Sequence, residues 1–199
     1  MNVSPVERAF LNSFVWSLIQ KGYVVPFWRG LFSLSSDSVV LEVGCGRGVG
    51  SIILAESFKP ARLDALDLDE RMVAKARDYV SGEYSGRINI VLGDVTRMSA
   101  QDGGYDAVFD FLTMHYVENW QDGLAEVSRV LKPGGYFAFC ELYDGGSSNP
   151  LAKLMLGHKA GWRFGRRDWV RALAENHMRL LEEKKHLAGY GMIGVARKS

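Results

Sequence analysis

Cysteine is scarce in this chain, with Cys45 and Cys140 the only two in 199 residues. Two thiols are too few for a disulfide framework or a cysteine zinc site, so a reducing cytoplasm is the expected setting and no metal is expected. Long apolar runs are missing too. The stretch from Ala9 to Gln20, after Arg8, imitates a signal peptide, but Asn12, Ser13 and Gln20 interrupt it and no small-x-small cleavage site follows. It is also too short to span a bilayer. Neither sign of charge dominates, since 24 basic residues face 23 acidic ones for a net charge of +1. Internal repeats and low-complexity tracts are absent. These gaps exclude a disulfide scaffold, a transmembrane helix, a collagen and a coiled coil.

What is present is ordinary globular material, 47% hydrophobic and 24% charged, of a length that suits one domain. The balanced charge conceals an asymmetry. Up to Pro150 there are 13 basic and 19 acidic residues, a net of −6, and beyond it 11 and 4, a net of +7. Lys153, Lys159, Arg163, Arg166, Arg167 and Arg171, interleaved with Trp162 and Trp169, can grip a phosphate or form a solvated helix face. The acidic remainder repels a long polyanion, so a small, lipid-like or anionic partner is expected ahead of nucleic acid.

The chain opens with a helical pattern. Ser4 and Glu7 bracket Pro5 as a capping box, and Val6, Phe10, Phe14 and Leu18, with Leu11 and Val15, form one apolar face. From Ser38 onward, short apolar runs alternate with helical periods, as in a parallel sheet flanked by helices. Strands are predicted at Val39 to Val43, Ala61 to Leu68, Arg87 to Leu92, Tyr105 to Leu112 and Tyr136 to Leu142. Helices are predicted from Ser51 to Phe58, Glu70 to Val80, Glu118 to Leu131 and Arg166 to His177. The Glu70 helix carries Met72, Val73, Ala76 and Val80 on its inner side, and Lys132-Pro133-Gly134-Gly135 ends the Glu118 helix. Leu180 to Leu187 and Met192 to Arg197 form a closing hairpin.

The chemistry gathers at strand ends. Val39-Val40-Leu41-Glu42-Val43-Gly44-Cys45-Gly46-Arg47-Gly48 is an apolar strand running into three alternating glycines. Glycine permits a tight turn and a close ligand approach, and the free amides of the following helix favour an anionic group. A plain β-to-α turn is the competing reading. Asp67 ends the second strand, where a carboxylate can accept from both ribose hydroxyls, and Asp94 ends the third, where it can accept from an adenine amino group. Solvated or turn-forming acids would look the same singly, but open α/β sheets bind ligands outside the carboxyl ends of their strands.

Taken in order, Glu42-Val43-Gly44-Cys45-Gly46-Arg47-Gly48, Asp67, Gly93-Asp94-Val95 and Leu131-Lys132-Pro133-Gly134-Gly135 resemble the motifs of the class I S-adenosylmethionine-dependent methyltransferases. The resemblance implies a Rossmann-like α/β fold: a seven-stranded, mostly parallel sheet with an antiparallel last strand and helices on both faces. It divides the chain into an N-terminal helical and aromatic cap over residues 1–37 and a methyltransferase domain over 38–199. It implies S-adenosylmethionine as cofactor, with Glu42, Gly44, Cys45 and Gly46 at its methionine end, Asp67 and Leu68 at the ribose, and Asp94 and Val95 at the adenine. Tyr105 to Phe111 resembles the family's fourth strand, which puts Asp110 and Phe111 near the reactive methyl. Asp110 stands where similar small-molecule enzymes carry a small polar residue.

Transfer of an already activated methyl needs alignment and exclusion of water more than an elaborate catalytic group. His115, after the fourth strand, is the candidate base, with Asp110, and then Glu141 and Tyr143 after the fifth strand, as further candidates; a packing or orienting histidine is the alternative. Phe14, Trp16, Tyr23, Phe27, Trp28 and Phe32 suggest a lid over the site, with Tyr23, Trp28, His115 and Tyr143 as substrate contacts. An extra core layer or a peripheral membrane contact would account for the same aromatics. The expected activity is methyl transfer to a small acceptor. A non-catalytic cofactor-binding subunit and a NAD-dependent oxidoreductase are the alternatives: G-x-G-x-x-G spacing from Gly44 fails at Val49, and from Gly46 it meets Ser51. The acceptor atom and the oligomeric state are not legible.

Overall fold

The computed structural model describes residues 13–143, 164–186 and 191–199. Its strands are β1 (Val39–Val43), β2 (Arg62–Asp67), β3 (Ile88–Leu92), β4 (Tyr105–Phe111), β5 (Leu131–Leu142), β6 (Met178–His186) and β7 (Gly191–Lys198). They form one seven-stranded sheet in the order β3-β2-β1-β4-β5-β7-β6. The first five are parallel, and β7 runs antiparallel to both β5 and β6. Strand order reverses direction between β1 and β4, so their carboxyl ends diverge there and open a crevice.

The helices are α1 (Phe14–Ile19), α2 (Val25–Arg29), α3 (Val49–Phe58), α4 (Glu70–Tyr79), α5 (Trp120–Val130) and α6 (Arg166–Glu175). On one face of the sheet Ile53 and Leu54 of α3, Val73 and Ala76 of α4, and Val24, Val25 and Trp28 meet Val40, Phe109 and Phe111. On the other, Leu124 and Val127 of α5 and Trp169 and Leu173 of α6 meet Leu41, Val43, Val108 and Phe137. Adjacent strand residues thus serve opposite core layers, which is why these strands read as continuous apolar runs.

Two boundaries differ from expectation. Helix α3 starts at Val49 because Gly48, at φ 84°, completes the turn immediately before it. Lys132-Pro133-Gly134-Gly135 does not separate α5 from β5. Leu131 already pairs with Tyr105, and pairing resumes at Tyr136 with Ala107, leaving the four residues as a bulge. Pro133 has no N–H for the ladder and Gly134 takes φ 79°, so that segment bows out.

The N-terminal segment departs furthest from its pattern. Ser4 to Leu11 lie outside the described residues, and so does much of the basic cluster, with Lys153, Lys159, Trp162 and Arg163. In α1, capped by Ser13 Oγ accepting from the Trp16 N–H at 3.2 Å, Phe14, Val15 and Leu18 are 76%, 55% and 53% exposed, so the apolar face points outward. Trp16 and Gln20 turn inward. The cause is the π-helical turn Gln20–Val24, whose extra residue rotates α1 relative to α2. The aromatics divide accordingly. Trp28 packs on Phe109 and Phe111 at ring separations of 5.6 and 4.8 Å, and Phe32 stacks on Tyr136 at 4.4 Å, forming a core layer. No helix among the described residues is long and apolar enough to cross a membrane.

Candidate active site

The crevice at the ends of β1 to β4 has a volume of about 480 Å³, enough for a cofactor-sized ligand. Its first wall is the loop from β1 to α3, where Gly44, Gly46 and Gly48 take φ values of 69°, 55° and 84°. At Gly44 the requirement is double, since a Cβ there would fall on the Thr113 side chain. Thr113 is held in place by donating from Oγ1 to the Val43 carbonyl at 3.0 Å. Gly46 faces open space, so its backbone can be approached directly.

Three carboxylates from successive strands line the same crevice. Glu42 ends β1 almost wholly buried and accepts a hydrogen bond from Ser51 Oγ. Burial pushes its pKa up to about 8, against the opposing pull of Ser51, and the charges of Asp67 and Asp110 add to the rise. Asp67 ends β2 and ties two turns together, accepting from the Gly46 N–H on Oδ2 and the Asp69 N–H on Oδ1, both at 2.8 Å. Its burial also raises its pKa, against the pull of those amides. Asp94, after β3, accepts from the Thr96 N–H and hydroxyl on Oδ1, both at 2.8 Å.

Behind the crevice lies a second polar group. His115 Nδ1 sits 2.6 Å from Glu141 Oε2. Glu141, fully buried at the end of β5, also accepts from the backbone N–H groups of Met114 at 2.6 Å, Leu142 at 3.1 Å and His115 at 3.3 Å. Burial raises Glu141 to about 7 and pushes Asp110 well above its ordinary value, with the Glu141 charge adding to the rise. Asp110 Oδ1 accepts from the Thr113 N–H at 2.9 Å. Its Oδ2 meets no hydrogen-bond partner among the described residues, and its burial beside Glu141 disfavours the charged form.

Most of the residues expected at the cofactor converge. Glu42, Gly44, Cys45 and Gly46 line the crevice, as do Asp67, Leu68, Asp94, Val95 and Phe111. Asp110 does not, because alternation along β4 sends Phe111 to the crevice and Asp110 to the buried layer beside Glu141. His115 lies behind its neighbours Thr113 and Tyr116, which do face the crevice. Among the residues expected at the substrate, Trp28 belongs to the core layer, Tyr143 is buried in the cluster with Trp120 and Trp169, and Tyr23 is 46% exposed outside the crevice.

Sequence reasoning missed Gln20, Met72, Thr96, Thr113 and Tyr116, all of which line the crevice. Gln20 carried a signal, being a polar residue in an otherwise apolar run. Met72, expected among the core residues of α4, is half-buried at the crevice, while Val73 and Ala76 take the core. Thr113 carried none, since its role is defined only by Gly44, 69 positions earlier.

These residues fit S-adenosylmethionine. The space over Gly46, the acids at the ends of β1, β2 and β3, and a buried, unpartnered Gln20 carbonyl oxygen offer acceptors for an ammonium, a ribose and an adenine amino group.

Comparison with known proteins agrees. The family model for a methyltransferase domain matches residues 40–135. A fatty-acid O-methyltransferase of Mycolicibacterium smegmatis is 31% identical over 147 residues, 73% of this chain and 45% of that protein. A phthiotriol/phenolphthiotriol dimycocerosates methyltransferase of Mycobacterium tuberculosis is 35% identical over 105 residues, 52% of this chain and 37% of its own. The chain thus spans less than half the length of these relatives. A crystal structure of an S-adenosylmethionine-dependent methyltransferase from Aquifex aeolicus shares the fold at a TM-score of 0.77, with 18% identity and full coverage of both chains. Over residues 40–135 the chain belongs to the methyltransferase-domain family.

Proposed function

We propose that the protein transfers a methyl group from S-adenosylmethionine to a small acceptor of lipid-like or anionic character, in the cytoplasm and without a metal. The observation that carries this reading is the convergence of Glu42, Asp67 and Asp94, from three consecutive strands, on one crevice beside the Gly44–Gly48 turn. Glu42 and the open Gly46 backbone hold the amino-acid end, Asp67 and Leu68 the ribose, and Asp94 with Val95 the adenine. When bound, the cofactor supplies a sulfonium methyl that is activated before any protein group acts.

What remains for the chain is alignment and dryness. Trp16, Phe111, Leu112 and Val117 give the crevice apolar walls. Two of the relatives are named for fatty-acid and dimycocerosate acceptors, which favours a lipid-like acceptor here. Glu141 orients His115 through the 2.6 Å contact with Nδ1, so the pair braces the crevice wall from behind and positions Thr113 and Tyr116, which face the crevice. Asp110 supports the same unit from behind.

Titration calorimetry with S-adenosylhomocysteine, with NAD(H) as control and Asp67→Ala as the site variant, tests the cofactor. Saturation by NAD(H) alone overturns the reading. A panel of fatty acids and small anionic acceptors, assayed for methyl transfer, tests the activity; tight binding with no transfer to any of them favours a binding subunit.

A further inference from the structure

Gln20 is 3% exposed, lines the crevice, and its Oε1 has no hydrogen-bond partner among the described residues. A buried acceptor left unmet costs stability, so such groups are rare unless something outside the chain meets them. Its setting is equally unusual. Gln20 begins the π-helical turn that joins α1 to α2, a local distortion that concentrates at functional sites.

The neighbours show which part of the crevice it serves. Lys21, the next residue, pairs with Glu56 of α3 at 2.9 Å, and Trp28 of α2 packs on Phe111 of β4. Glu56 lies in the last turn of α3, so the π-helical turn is anchored on α3 and, through α2, on β4. In the first turn of α3, a Cβ on Gly50 would touch both the Glu42 carboxylate of β1 and the Phe111 ring of β4. Asp94 and the adenine end lie two strands away, beyond β3. Glu42 and Gln20 thus share the β1 and β4 side of the crevice.

We infer that Gln20 Oε1 accepts a hydrogen bond from the α-ammonium of the cofactor's amino-acid moiety, closing the site from a segment that lies outside the matched methyltransferase domain. An ammonium has three N–H donors and no acceptor, and a carbonyl oxygen beside a carboxylate is the complementary pair. The inference rests on the S-adenosylmethionine reading of the crevice. It assigns a recognition role to residues before position 40, with the π-helical turn as the device that brings Gln20 inward while Phe14, Val15 and Leu18 face out.

The test is calorimetric binding of S-adenosylhomocysteine and of its deaminated analogue, in which hydrogen replaces the α-ammonium, to the full chain and to Gln20→Met. Methionine fills the same space without the unmet oxygen. S-adenosylhomocysteine should bind the variant about tenfold or more weakly, since hydrogen bonds to charged groups are worth at least that much. The deaminated analogue should bind both proteins equally, and the melting temperature of the ligand-free variant should be unchanged or higher. Unaltered binding of S-adenosylhomocysteine to Gln20→Met overturns the inference, and so does equal weakening of both ligands. If the unaltered protein binds neither ligand, the cofactor reading itself falls, a result that cannot be confused with the other two.

Discussion

Thr113 occupies the space that a side chain at Gly44 would need. Its hydroxyl donates to the Val43 carbonyl at 3.0 Å, which fixes the end of β4 against the first turn after β1. Gly44→Ala therefore meets both a steric block and a φ of 69° that alanine disfavours. The expected cost is about 2–4 kcal/mol of stability with loss of cofactor binding. Thr113→Ala should cost only about 1 kcal/mol, for the hydrogen bond. Denaturant unfolding of the two variants checks the contrast; equal costs would contradict it.

Glu42 gives a proton-linked signature. With its pKa raised to about 8, it is mostly protonated in the ligand-free protein at pH 7. An ammonium placed beside it favours the charged form, so cofactor binding should release about one proton at that pH. Calorimetry in buffers of different ionisation enthalpy measures this directly. The release should vanish in Glu42→Gln and fade above pH 9.

Asp67 is committed to two backbone amides while it lines the crevice. Asp67→Asn replaces one acceptor oxygen with a donor facing either Gly46 N–H or Asp69 N–H, each now bonded at 2.8 Å. About 1–3 kcal/mol should be lost from stability, together with affinity for S-adenosylhomocysteine. Thermal melts with and without ligand report both quantities, and an unshifted ligand-free melt would show that the two amides do not need the carboxylate.

The Asp110 and Glu141 pair separates two substitutions that look alike on paper. Burial and the Glu141 charge push Asp110 upward and favour its neutral form, so the neutral isostere Asp110→Asn should shift stability by less than about 1 kcal/mol. Glu141→Gln turns an N–H donor toward one of the three backbone N–H groups and the His115 ring that now converge on the carboxylate, and should cost about 3 kcal/mol. Chemical denaturation at pH 7 distinguishes them.

Burial also fixes the sign of a pH effect. Glu42, Glu141 and Asp110 all have folded pKa values above their ordinary ones. A carboxyl raised on folding contributes stability that is complete below its unfolded pKa and is lost as pH rises through the folded value. The ligand-free protein should therefore lose stability between about pH 4.5 and 8, the interval bounded by the ordinary glutamate value and that of Glu42. Melts of the unaltered chain and of Glu42→Gln across that range check it, with the flatter profile expected for the variant.

The glycine and carboxylate side of the crevice was legible because its geometry is local. A glycine at alternate positions after an apolar strand, and an acid at the end of the next strand, are consequences of short-range geometry, and Gly46 N–H bonding to Asp67 is the contact that pattern implies. The seven-stranded sheet with an antiparallel last strand was implied by the family resemblance, and its strand order comes from the structure. What lay hidden was fixed by distant partners. Glu141 closes on Met114 and His115 from a strand 26 or 27 residues away, and no spacing announces it. The outward face of α1 was misread because apolar periodicity presumes an uninterrupted α-helix, and the turn beginning at Gln20 breaks that presumption. Trp28 was assigned to substrate on aromatic character alone, whereas Phe109 and Phe111 on β4 claim it for the core.

Of the described tryptophans, Trp28, Trp120 and Trp169 are sealed within the two core layers, and only Trp16 also belongs to the wall of the crevice. Among the described residues the fold thus holds a built-in optical reporter: filling the crevice changes the surroundings of the Trp16 indole while those three stay as they were. Its emission registers occupancy without a label, and Trp16→Phe supplies the dark control.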